Sequence, residues 1–233
     1  MLITRNRGFT LIELLVSLVL GLVVVGGVMG VFVSSYQANS QNIKAIRLNE
    51  EMRAVVALMT RDIRRAGTRG FDWTTTNVSW YSTYQFGTTG TNWVVSRYDN
   101  TAPVDSCVLF TYDINGDDTL DDGDRFGYRL NPGTGAIEAY NHVAGQWVCN
   151  GSNAAWPQVT DPEIAWIRSL AFTATTEPGV AGILVRTVVL NLRAATHTRS
   201  TDPSNLSAAD CSNIDVVCRQ IEETIRVRND PVL

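Results

Sequence analysis

No CxxC pair, no HExxH, no GxSxG and no glycine-rich phosphate loop occurs in these 233 residues. The patterns that announce zinc-hydrolase, serine-hydrolase or nucleotide-binding chemistry are therefore missing. Histidine is scarce: His142 and His197 stand alone, too isolated to pair as metal ligands. A basic surplus is also lacking. Nineteen Lys and Arg face twenty-three Asp and Glu, a net charge of -4 and a pI near 5.2, so no whole-chain field favours nucleic acid or an anionic membrane surface. Proline is absent before Gly67, and Asp, Glu, Lys and Arg are absent from residues 14–33.

What is present begins with residues 1–8, MLITRNRG, carrying Arg5 and Arg7, followed by the nearly unbroken apolar run 14–33. A hydrocarbon core of ~30 Å needs about 20 helical residues, so this run is long enough to span. The preceding arginines keep that end cytoplasmic and predict export of the rest. An ordinary signal peptide has a shorter apolar core with a small-residue cleavage site after it; here the distinctive site lies before the run, so the segment is expected to be retained. The length allows this segment plus one domain. Four cysteines, Cys107, Cys149, Cys211 and Cys218, lie beyond it. In an exported domain disulfides are expected, Cys211–Cys218 as a local loop and Cys107–Cys149 as the other pair, with free buried thiols as the alternative.

Arg7-Gly8-Phe9-Thr10-Leu11-Ile12-Glu13-Leu14 resembles the prepilin motif of type IV pilins and type II secretion pseudopilins. The resemblance implies cleavage between Gly8 and Phe9 by a membrane aspartyl protease, the prepilin peptidase, and methylation of the new Phe9 amino terminus. Glu13 fits physically: a carboxylate at the edge of a membrane helix is costly and marks a function. The resemblance gives it a partner, the charged Phe9 terminus of a neighbouring subunit. Gly21, Gly26, Gly27 and Gly30 interrupt the run. Close helix packing, unwinding during assembly and plain membrane tolerance all account for them.

After residue 33 the pattern becomes amphipathic, with Ile43, Leu48, Met52, Val55, Met59, Ile63 and Ala66 on one predicted helical face. A helix over 10–66 follows, with Gly67 as its stop. The segment Leu58-Met59-Thr60-Arg61-Asp62-Ile63-Arg64-Arg65-Ala66-Gly67, with Arg69-Gly70 and the tail Thr224-Ile225-Arg226-Val227-Arg228-Asn229, resembles PilW-type minor pilins. A stretch rich in Thr, Ser, Asn and Gly with Trp73, Trp80, Tyr81 and Tyr84 reads as a loop-rich insert, its aromatics either a recognition surface or packing on the sheet. Strands are expected at 93–95, 108–112, 125–130, 136–140, 147–149, 169–175, 183–192 and 222–227. The fold class is α+β: a long N-terminal helix, half transmembrane and half amphipathic, packed on an antiparallel sheet head. The expected segments are a leader 1–8, a transmembrane or filament-core helix 9–33, an amphipathic helix 34–67 and an exported head 68–233.

Asp113, Asn115, Asp117, Thr119 through its carbonyl, Asp121 and Asp124 occupy positions 1, 3, 5, 7, 9 and 12 of an EF-hand-like spacing. Ca²⁺ is the expected cofactor, since a hard ion relieves repulsion among clustered acids and suits oxygen ligands better than zinc does. Asp118 stands where glycine is usual, and the last ligand is Asp instead of Glu. A solvated acidic turn is the alternative.

The expected function is structural: a minor pilin that helps initiate or cap a type IV pilus. Its expected partners are other minor and major pilins, the prepilin peptidase and the inner-membrane assembly platform. Its expected location is a single-pass inner-membrane protein, N-terminus inside and head in the periplasm, then an extracellular filament. The alternatives are a J-like minor pseudopilin of type II secretion, a DNA-contacting subunit using Arg186, Arg193, Arg199, Arg226 and Arg228, and a membrane-anchored calcium-dependent enzyme. No catalytic constellation supports the last, and alternation on strands makes the arginines solvent-facing sheet residues.

Overall fold

Fifty-five consecutive residues, Leu11–Arg65, form one α-helix, α1. Nothing in its interior removes a backbone donor, and the four glycines do not break it. The computed structural model describes residues 10–67, 94–96, 105–117, 121–178, 184–197, 211 and 216–227. Gly8, Phe9, the aromatic-rich insert and Thr119 lie outside the described residues.

The chain divides into two compact units, Met1–Ile43 and Lys44–Leu233. In the first, every described residue up to position 39 is exposed, including Leu22 at 70% and Phe32 at 66%. A Cβ added at Gly21, Gly26, Gly27 or Gly30 meets no atom within 4 Å, so packing within this chain does not demand those glycines. Ile43, expected on the buried face, is 52% exposed; burial starts at Leu48.

In the second unit, α1 buries Leu48, Met52, Val55, Val56, Met59 and Ile63. It ends where Gly67 takes φ 78°, a left-handed conformation that glycine adopts at no steric cost, and the Gly67 N–H donates to the Thr111 carbonyl at 2.9 Å.

The strands are β1 Val94–Ser96, β2 Cys107–Thr111, β3 Arg125–Asn131, β4 Ala136–Ala139, β5 Trp166–Pro178, β6 Leu184–His197 and β7 Val216–Arg226. They form two antiparallel sheets instead of the one expected, β1-β2-β3-β4 and β5-β6-β7. The expected strand at 147–149 is a turn. Its Trp and Val suit a pleated surface, but these residues are held by long-range bonds instead of a ladder.

Alternation along β2 explains the layering, since successive side chains point to opposite faces. Val108 and Phe110 join the main core with Tyr128 and Leu130 of β3, Leu170 and Phe172 of β5, Leu190 and Leu192 of β6, Ile225 of β7 and the buried face of α1. Cys107 and Leu109 belong to a second core with Tyr140, Cys149, Ala155 and Trp156. All five β2 residues are therefore buried. Gly127 is needed on that back layer: a Cβ there would lie 2.9 Å from Trp156 Cη2 and 2.8 Å from Leu109 Cδ2. Gly135 (φ 64°) lets the Trp166 ring lie against the backbone, 2.4 Å from where a Cβ would stand.

Candidate functional site

The first turn of α1 is closed by its own side chains. Glu13 Oε2 accepts from the Thr10 backbone N–H at 3.3 Å and from Thr10 Oγ1 at 3.2 Å, while the Glu13 N–H donates to Thr10 Oγ1 at 3.3 Å. This is a capping box, satisfying helix-end donors that lack intrahelical acceptors. Thr-x-x-Glu is readable in sequence, and Thr10 is the functional residue that the motif reading passed over. Glu13 Oε1 has no protein partner among the described residues, so one oxygen is left for an external cation. Behind this end runs the only described helix long and apolar enough to cross a membrane, with none of its apolar window buried.

The acidic loop is largely self-bonded. Asp113 Oδ1 accepts from the Gly116 N–H at 2.6 Å, Asn115 Oδ1 from the Asp117 N–H at 3.2 Å, and Asn115 Nδ2 donates to Asp117 Oδ2 at 2.8 Å. Asp124, fully buried, closes the loop from the other side, its two oxygens accepting from the N–H groups of Ile114 at 3.0 Å and Asp121 at 3.1 Å. Asp121 Oδ1 accepts from the Gly123 N–H and caps the short 3-10 turn Asp122–Asp124. Among the described residues no three His, Cys, Asp or Glu side chains gather as a metal group. The carboxylates of the described part of the loop are bonded to amides at its two ends.

A family model for prepilin peptidase-dependent protein B matches residues 41–227, and one for the prokaryotic N-terminal methylation motif matches residues 3–29. The chain belongs to the prepilin peptidase-dependent protein B family. No curated protein and no solved structure matches it. As a member of this type IV pilin-like family, it has the role of a minor pilin or pseudopilin, and its apolar helix fits an inner-membrane anchor.

In this member of the family the unit Lys44–Leu233 is organised around charges that the sequence reading did not single out. Arg129 and Glu138, opposite one another on β3 and β4, form an ion pair at 2.6 Å with both side chains buried. Arg129 Nη1 donates to the carbonyls of Cys149 and Gly151 at 2.9 and 2.8 Å, its guanidinium lies over the Trp156 ring, and Asn131 Nδ2 donates to Glu138 Oε1. Burying two charges is tolerated only when the remaining donors and acceptors are also used, as they are here. The Cys107–Cys149 disulfide ties β2 to the same loop. The second disulfide joins Cys211 to Cys218. Arg193 and Arg226 are exposed on β6 and β7; Arg199 and Arg228 lie outside the described residues, as does the side chain of Arg186.

A second polar link joins helix to sheet: Tyr128 Oη donates to buried Asp62 at 2.5 Å, and Arg61 pairs with Asp62 at 3.1 Å. Burial, then the Asp62 carboxylate, pushes the Tyr128 phenol well above its ordinary value; Tyr112 moves the same way for the same two reasons. Tyr140 is also raised, by burial and then by Asp122. His142, at φ 48°, sets Nδ1 2.9 Å from the Asp122 carbonyl with its ring edge-on to Phe126. These contacts tether the loop.

Proposed function

We propose that this chain is a PilW-type minor pilin that helps initiate or cap a type IV pilus. In this reading the leader is removed between Gly8 and Phe9, Phe9 is N-methylated, and the protein stands N-in and C-out in the inner membrane before entering an extracellular filament. Other minor and major pilins and the inner-membrane assembly platform are its partners, and its job is structural instead of catalytic. The observation that carries the reading is the stretch 10–39, exposed at every position and overwhelmingly apolar up to residue 33, with Glu13 at its start. Such a surface requires lipid first and neighbouring helices afterwards. The Oε1 of Glu13, without a protein partner among the described residues, can then take the Phe9 ammonium of an adjoining subunit. Calcium binding at Asp113, Asn115, Asp117, Thr119, Asp121 and Asp124 belongs to the proposal on the spacing alone. The described part of the loop would have to exchange some amide contacts for the ion.

The test is crosslinking mass spectrometry on purified pili and on purified secretion complexes, with wild type, Gly8→Val and Glu13→Ala. Crosslinks to pilins, uncut precursor for Gly8→Val, and processed but unincorporated Glu13→Ala are expected. Crosslinks only to secretion pseudopilins would move the chain to the J-like reading, and normal incorporation of Glu13→Ala would remove Glu13 from assembly.

A further inference from the structure

The two disulfides sit in opposite surroundings. Cys107 and Cys149 are buried in the back-layer core, where the Arg129 guanidinium donates to the Cys149 and Gly151 carbonyls and pairs with Glu138. Cys211, ahead of β7, and Cys218, within it, are half-buried, and two guanidiniums converge on the Cys211 sulfur. Arg168 Nη1 lies 3.1 Å from Cys211 Sγ and 3.8 Å from Cys218 Sγ, and Arg193 Nη2 lies 3.4 Å from Cys211 Sγ. Arg168 and Arg193 come from β5 and β6, so the cations are positioned by the sheet and not by the loop the bridge closes. A disulfide bond gains little from such contacts, whereas a thiolate gains a great deal: adjacent arginine lowers a thiol's pKa, and a sulfur of low pKa is the better leaving group.

We propose that Cys211–Cys218 is a thiol–disulfide exchange site for a dithiol reductant, with Cys211 as the leaving sulfur held by Arg168 and Arg193. One thiolate of the dithiol attacks Cys218 Sγ. A new S–S bond forms there, the Cys211–Cys218 bond breaks, and its electron pair leaves on Cys211 Sγ as a thiolate between the two guanidiniums. The second thiolate of the reagent displaces Cys218, so the reagent becomes a disulfide and the protein gains two electrons. One reagent proton ends on Cys218 and the other goes to water. The attacking anion is drawn to the same pair of cations, which works in the same direction. Cys107–Cys149 remains closed because both of its cysteines are buried away from the attacking reagent.

Timed reduction of the full chain in detergent with dithiothreitol, quenched by alkylation and read by peptide mass spectrometry, follows both bridges in one sample. Cys211–Cys218 is expected to open at least about tenfold faster than Cys107–Cys149. Arg168→Gln with Arg193→Gln should slow it by about tenfold, leaving the Cys107–Cys149 rate alone, and Arg168→Lys with Arg193→Lys, which keeps the charge, should restore most of the rate. Equal rates for the two bridges overturn the proposal. So does a double Gln variant as fast as the parent, since exposure alone would then set the order.

Discussion

Over residues 11–39, α1 shows every side chain to its surroundings; over 48–63 the same helix buries six apolar residues, from Leu48 to Ile63, against strands. The backbone is α-helical throughout, so the difference lies in who supplies the apolar neighbours. In the first stretch none of the described chain does, and lipid or other helices must. In the second the chain completes itself, each fully buried Leu or Met contributing about 1.5–3 kcal/mol relative to exposure. Substitutions in the first stretch should therefore change what the protein joins, and substitutions in the second how firmly it folds.

The strongest way to break that division is at the buried ion pair. Arg129→Ala leaves Glu138 uncompensated and the Cys149 and Gly151 carbonyls without their donor, and is expected to cost about 3–5 kcal/mol. That is roughly a 10 °C fall in the melting temperature by circular dichroism, at ~2–4 °C per kcal/mol for a domain of this size; a negligible fall would mean that the unit Lys44–Leu233 does not depend on the pair. Next comes a matched pair on the one helix. Met59→Ala should lose about 2–5 kcal/mol, while Leu18→Ala in detergent should stay within about 0.5 kcal/mol. Equal shifts would erase the contrast between the stretches.

A smaller effect belongs to Tyr128→Phe, about 1–3 kcal/mol for the Asp62 Oδ2 that loses its donor. Because burial raises the folded-state phenol, its contribution is fully present below the unfolded value near pH 10 and is lost as pH rises from there. Urea titrations from pH 8 to 11 should show a shallower alkaline decline in the variant. The smallest is calcium: about 1 kcal/mol of stabilisation at ~5 mM ion for a dissociation constant near 1 mM, absent in Asp113→Ala. Identical melting in calcium and chelator would leave the loop closed by its own amides.

Local patterns were readable where one short-range rule decides. The helix, its stop at Gly67 and the α+β class follow from periodicity and turn residues. Thr10 was equally readable, as Thr-x-x-Glu, but was overshadowed by the processing motif around it. Contacts distant in sequence decided the rest. Residues 147–149 have strand-like side chains, yet a bridge to Cys107 and a bond from Arg129 hold them as a turn. Arg129 and Glu138 look like ordinary outward-facing strand residues until the 141–156 segment is laid over them. Ile43 obeys the helical period and is still uncovered, because periodicity says which face is apolar and not where its cover begins.

Ile225 and Val227 share one core with Leu48 and Met52. A chain synthesised from its amino terminus makes the helix first and that cover last, so the greasy seam of α1 waits for almost the entire polypeptide before it can be sealed. Closing contacts so far apart is slow, and the waiting surface is prone to aggregate. The hazard of misassembly is thus concentrated in the interval before β7 emerges, and a holding chaperone that recognises the seam over residues 48–63 would act within that window.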